Sequence, residues 1–220
     1  MEWYTLEGDP NNQCSFLQND ASYCTYARIR LPGGYSESTA NHLICNLKIP
    51  VGVRVSNPSR WLHKVRATRQ FASELKDLLI GAADLNVPIC FLPTSKKSDD
   101  PDYDPRWDMV AEALRNSEPR FRIETPFEVI TSTEAYHSSG QTRNPSTIKQ
   151  NLQWTGFDNN DFEEIVLIDD VLTTGAHFVA ARALIQENLE HPVNVSGVFW
   201  AKHQHPVIDP LVEFDDLSEL

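Results

Sequence analysis

The chain has 220 residues, of which 40% are hydrophobic and 23% charged. That is a globular balance that excludes wholesale disorder, and at about 150 residues per domain it predicts one domain with an elaboration. Lys and Arg total 19 against 31 Asp and Glu, a net charge of −12, which argues against a nucleic-acid backbone or an anionic membrane surface as the main partner.

No apolar run reaches the ~18 residues of a spanning helix, and residues 1–9 lack the basic-then-apolar order of a secretory signal. The cysteines, Cys14, Cys24, Cys45 and Cys90, form no CxxC pair. Buried free thiols in a reducing cytoplasm are therefore expected. A zinc held by Cys14, Cys24, His42 and Cys45 is the competing reading, weakened by irregular separations and apolar surroundings.

In chain order, residues 23–30 are rich in strand formers, and Leu31-Pro32-Gly33-Gly34 follows as a turn, so a hairpin is expected. Residues 41–47 form a short apolar segment compatible with a helix, and Asn57-Pro58-Ser59 marks a break. Trp61, Leu62, Val65, Phe71, Ala72, Leu75, Leu78 and Leu79 recur at helical spacing, with Ser59 as the expected N-cap and Gly81 as the stop. Residues 87–92 are a short apolar run, read as a buried strand entering the loop Pro93-Thr94-Ser95-Lys96-Lys97. After Asp99, Asp100, Asp102 and Asp104 comes a second helix over residues 106–114, then a strand over 127–130.

Residues 136–146 are polar and contain His137, Gly140, Arg143 and Pro145, a long loop of the kind that is functional or disordered in compact domains. A strand over 165–168, a helix over 176–189 and a strand over 193–201 follow. From Pro206 the chain carries acids and no Lys or Arg, a solvated tail. Buried strands alternating with helices predict an α/β fold, an open parallel sheet with helices on both faces. The division expected is an N-terminal hood-like elaboration (1–60), a core (61–205) and an acidic tail (206–220).

The strongest signal is Ile165-Val166-Leu167-Ile168-Asp169-Asp170-Val171-Leu172-Thr173-Thr174-Gly175-Ala176. A buried strand delivers two carboxylates, and a turn of hydroxyls and glycine opens a helix. Ligands of open α/β sheets bind outside the carboxyl ends of the strands. A helix N-terminus with unpaired N–H groups suits a phosphate, and Gly175 lets the backbone approach it. Two carboxylates beside a phosphate site imply sugar hydroxyls or a metal, and a phosphorylated ribose fits both halves. The bland reading is that the aspartates only cap the helix.

This segment resembles the phosphoribosyl-pyrophosphate motif of type I phosphoribosyltransferases. The order of weaker features across residues 61–201 is most similar to the ComF-like branch, whose N-terminal zinc ribbon has no counterpart here. The resemblance implies that Asp169 and Asp170 hold the ribose 2′- and 3′-hydroxyls. Leu172, Thr173, Thr174, Gly175 and Ala176 would then cradle the 5′-phosphate with their hydroxyls and backbone amides. It also implies Mg²⁺ as cofactor, acting on the pyrophosphate with Asp169 and Asp170 as indirect partners, and commonly a homodimer.

In that family the loop after an early strand binds pyrophosphate, which assigns Ser95, and Lys96 as a point charge on the leaving group. The alternative for both is an ordinary exposed turn. Arg106 either reaches the pyrophosphate or pairs with Asp102 or Asp104. Arg143, in the long loop with His137, either closes over the reacting centre or is an incidental surface charge. His203 and His205 either contact an acceptor, bind a metal as an HxH pair or sit on the surface. Trp200 is read as packing.

The expected activity is transfer of phosphoribose from phosphoribosyl pyrophosphate to a nitrogen acceptor with release of pyrophosphate. Two alternatives stand beside it. One is a non-catalytic sensor of phosphoribosyl pyrophosphate or a nucleotide that regulates a protein partner. The other is a ribose-phosphate fold recruited into an assembly through its N-terminal hairpin.

Overall fold

The computed structural model describes residues 1–9, 12–18, 23–82, 86–133 and 144–204. Arg143, His137, His205 and the tail over 206–220 lie outside these residues, so their expected roles are not addressed by the fold.

The elements run β1 (Tyr4–Thr5), β2 (Cys24–Tyr26), β3 (Ile29–Arg30), α1 (Thr39–Leu47), α2 (Val53–Ser56), α3 (Pro58–Ala82), β4 (Ile89–Phe91) and α4 (Arg106–Ser117). They continue with β5 (Ile123–Glu124), β6 (Phe127–Val129), α5 (Pro145–Gln150), β7 (Leu152–Trp154), β8 (Glu164–Leu172), α6 (Ala176–Asn188) and β9 (Asn194–His203). Seven strands form one mixed sheet in the order β1-β2-β9-β8-β4-β5, with β3 also on β9. Every pairing in it is parallel except β1 with β2.

The period of the central strands explains the two layers of helix. Val166 and Ile168 of β8 and Val198 and Trp200 of β9 pack in one cluster with Leu43 and Ile44 of α1, Phe71 and Leu75 of α3 and Val110 and Leu114 of α4. Their neighbours Ile165, Leu167, Val195 and Phe199 pack in a second cluster with Ile148 of α5 and Phe178, Ala181 and Ile185 of α6. Successive side chains of a strand point to opposite faces, so strands apolar at every position need helices on both sides.

The expected hairpin over residues 23–34 does not form. β2 and β3 are two pieces of one segment, and both run parallel to β9, with Cys24 opposite Gly197 and Ile29 opposite Lys202. The glycine turn leads into α1 instead of a return strand, because the buried Asn41 side chain holds it. Its Nδ2 donates to the carbonyls of Leu31 (3.0 Å) and Gly34 (2.9 Å), and its Oδ1 accepts the Leu31 N–H (3.0 Å).

The cap of α3 also differs. Asn57, not Ser59, accepts from the Arg60 amide at 3.0 Å, and Pro58 occupies the first helical position, where its missing N–H costs nothing. The strand expected over 127–130 is β6, which pairs antiparallel with β7 in a separate ribbon. The edge strand beside β4 is instead β5, too short to leave a pattern.

Candidate functional site

β4 is followed in the chain by β5 on one side of it, whereas β8 lies on its other side. The carboxyl ends of β4 and β8 therefore flank a topological switch point, where open α/β sheets leave a crevice. A cavity of about 450 Å³ opens there. From β4 and its loop come Pro93, Thr94, Ser95 and Lys96, and from β8 come Asp169 and Asp170. α4 and the turn before it supply Arg106 and Asp104, the end of α1 supplies Lys48, and α6 supplies His177. The register fixes this juxtaposition: Phe91 lies opposite Ile168, and the Leu92 amide donates to the Ile168 carbonyl at 2.9 Å.

β8 runs through both aspartates to Leu172 instead of ending before them. Both carboxylates are largely buried, Asp169 at 9% and Asp170 at 3% exposure. A buried carboxylate is costly without compensation, and Asp170 has it: Lys48 Nζ stands 3.0 Å from Oδ1 and an Arg106 Nη 3.3 Å from Oδ2. Asp169 Oδ1 accepts the Asp170 N–H at 2.8 Å, and its Oδ2 faces His177 Nδ1 at 3.3 Å.

Arg106 resolves onto Asp104 and Asp170, not Asp102. Its N–H donates to Asp104 Oδ1 at 3.0 Å, and its guanidinium meets Asp104 Oδ2 at 3.2 Å. Burial opposes the charge of this guanidinium, but Asp170 and Asp104 outweigh that and hold its pKa above the ordinary value. Thr94 Oγ1 and Arg106 Nε are buried polar atoms with no hydrogen-bond partner among the described residues.

The loop after β4 is anchored from across the cavity. The Thr133 amide donates to the Ser95 carbonyl at 2.8 Å, and the Lys97 amide to Ser132 Oγ at 3.1 Å. Asn151, at the end of α5, holds that segment in turn, accepting the Thr131 amide and donating to its carbonyl, each at 2.9 Å.

The Thr173-Thr174-Gly175 turn adjoins this cavity in sequence but, among the described residues, is not part of its wall. Gly175 caps α6 in the left-handed region, φ +83°, and Thr174 Oγ1 accepts the Ala176 amide at 3.4 Å. The first turn of α6 carries no acidic residue. Leu172 and Ala176 are buried in the core, so only their backbone is available to a ligand. The N-terminal segment covers the turn. The Phe16 amide donates to the Thr174 carbonyl at 3.0 Å, and Leu17 lies where a side chain on Gly175 would stand, 2.6 Å from that Cβ position.

Trp200 and its neighbours in β9 lie outside this cavity's wall among the described residues. Trp200 is fully buried, stacked on Phe71 at 4.6 Å. Lys202 is buried and ion-paired with Asp9. His203 ends β9 opposite Arg30.

The donor set does not fit a divalent ion held directly by the aspartates. Three of their four oxygens face Lys48, Arg106 and the Asp170 N–H, and the fourth faces His177. Among the described residues no three His, Cys, Asp or Glu side chains form a metal-binding group. The four cysteines are free, with Cys14, Cys24 and Cys90 buried.

Lys48 and His177 also line the cavity and were missed by sequence reasoning, which named Thr94 only as part of its loop and Asp104 only as a partner for Arg106. His177 follows the Thr-Thr-Gly-Ala run directly and was readable from it. Lys48 left no signal, because one lysine at the end of a short helix is ordinary.

Compared with models of known protein families the chain matches none, and no curated protein matches it.

Proposed function

We propose that this chain is a phosphoribosyltransferase of the type I class, taking phosphoribosyl pyrophosphate with Mg²⁺ and passing phosphoribose to a nitrogen acceptor. The observation that carries this reading is the meeting, at one switch-point cavity, of the Ser95–Lys96 loop, Arg106 and the Asp169–Asp170 pair. The neighbouring turn at Thr173, Thr174 and Gly175, at the N-terminus of α6, supplies an anion cradle for the 5′-phosphate.

In this reading the C1–oxygen bond to pyrophosphate breaks as the acceptor nitrogen bonds to C1. Negative charge gathers on the leaving group, where Lys96 and Arg106 offset it, and positive charge gathers on the sugar beside Asp169 and Asp170. Mg²⁺ arrives with the pyrophosphate as part of the substrate. Positioning supplies most of the acceleration.

The test is a panel of nucleobases with phosphoribosyl pyrophosphate and Mg²⁺, scored for pyrophosphate release. Release with at least one base is expected, and Lys96→Ala should lower turnover more than it weakens ribose 5-phosphate binding. One observation favours a second reading, the non-catalytic sensor: Phe16 and Leu17 lie against the phosphate turn. Tight binding of phosphoribosyl pyrophosphate with no release for any base decides for the sensor.

A further inference from the structure

We infer that Lys48 is a ligand-binding residue of this site, a cation that exchanges Asp170 for the pyrophosphate of an incoming phosphoribosyl pyrophosphate. The inference rests on the ribose-phosphate reading above and adds a residue from the N-terminal elaboration to it.

Of the two cations that the described residues place on Asp170, only one is placed to leave. Arg106 is enclosed, with 13% of its side chain exposed, and is fixed to Asp104 through both its amide and its guanidinium. Lys48 is 33% exposed and lies on the cavity wall. Its side chain is a flexible four-carbon stem ending in a point charge, suited to changing partners.

The root of that stem is fixed. Lys48 is the C-cap residue of α1, and the fully buried Lys64 ammonium donates to the carbonyls on either side of it, those of Leu47 and Ile49. The same ammonium donates to Asp104 Oδ1 at 2.6 Å, and Asp104 holds Arg106. One buried lysine thus sets the positions of both cations that converge on Asp170.

The exchange follows from charge and geometry. With Lys48 at 3.0 Å, Asp170 Oδ1 is already engaged. A ribose hydroxyl needs that oxygen as an acceptor. A polyanionic pyrophosphate gives Lys48 a second partner, so the ammonium stays paired while the carboxylate is released to the sugar. A ligand with a 5′-phosphate but no anion at C1 offers no such partner and leaves Lys48 where it is. Lys48 therefore separates phosphoribosyl pyrophosphate from ribose 5-phosphate.

The experiment is calorimetric titration of both ligands, with Mg²⁺, into wild type, Lys48→Gln and Lys48→Arg. Losing one charge-assisted contact should weaken phosphoribosyl pyrophosphate binding about tenfold in Lys48→Gln and change ribose 5-phosphate binding by less than about twofold. Lys48→Arg should restore most of the loss. Equal weakening of both ligands would overturn the inference, since Lys48 would then only support Asp170. Unchanged binding of both would overturn it too. A wild type that binds neither ligand overturns the ribose-phosphate reading itself, and the inference with it.

Discussion

Gly175 has two reasons to be glycine, and neither concerns a ligand. Its φ of +83° lies where an L side chain is strained, and a Cβ there would stand 2.6 Å from Leu17 Cγ. Gly175→Ala should therefore lower stability by about 2–4 kcal/mol in urea unfolding, from left-handed strain plus overpacking. Combined with Leu17→Ala, the cost should fall short of the sum of the single changes by about 1 kcal/mol, because the second change removes the clash. The adjacent acid pair divides in the same measurement. Asp170→Asn takes a carboxylate from Lys48, which is partly exposed, and from Arg106, which keeps Asp104, and should cost about 2 kcal/mol. Among the described residues Asp169 makes no ion pair with Lys or Arg, so Asp169→Asn should cost less. The carboxylates, the threonines and Gly175 were legible because a buried strand ending in acids and a Thr-Thr-Gly turn is a local pattern. Lys48 was not, because its relation to Asp170 exists only after α1 has packed beside the mouth of β8.

At the scale of elements, the alternation of buried strand and helix over residues 61–201 was readable, since each helix has its own apolar stripe and each central strand its own apolar run. Strand direction in the N-terminal part was not. Residues 23–34 have the composition of a hairpin, yet β2 and β3 run parallel to β9. The decision belongs to Asn41, a residue of the next helix, whose amide takes up the backbone groups of the turn. Asn41→Ala should leave those groups unpaired and lower stability by about 2–4 kcal/mol, measured by thermal unfolding. The short strand β5 was missed for the opposite reason: a half-buried pair of residues is added to the sheet by β4 and shows no period of its own.

At the scale of the whole molecule, one half-buried carboxylate joins the N-terminal segment to α3 and to the central strand β9. Glu74 of α3 accepts Arg28 Nη1 at 3.0 Å and the Trp200 indole N–H at 2.6 Å. Burial alone would raise its pKa, but the bonds from Arg28, Gln70 and Trp200 prevail and hold it below the ordinary 4.5. A depressed carboxylate stabilises the fold above its unfolded pKa, and that stabilisation is lost as pH falls from about 4.5 through the folded value. Thermal unfolding of wild type should show stability declining over that interval, and Glu74→Gln should show a shallower decline from a lower starting point. By itself the sequence determined the α/β class, the helices on both faces and the strand–acids–turn that marks the crevice, because these follow from local periodicity and residue chemistry. Only the tertiary structure decided which ion pairs the acids enter, that Leu17 rests on the Thr173-Thr174-Gly175 turn, and that Lys48 and Arg106 meet on one carboxylate. Those contacts join segments far apart in the chain, and sheet order and helix packing, not neighbouring residues, bring their charges together.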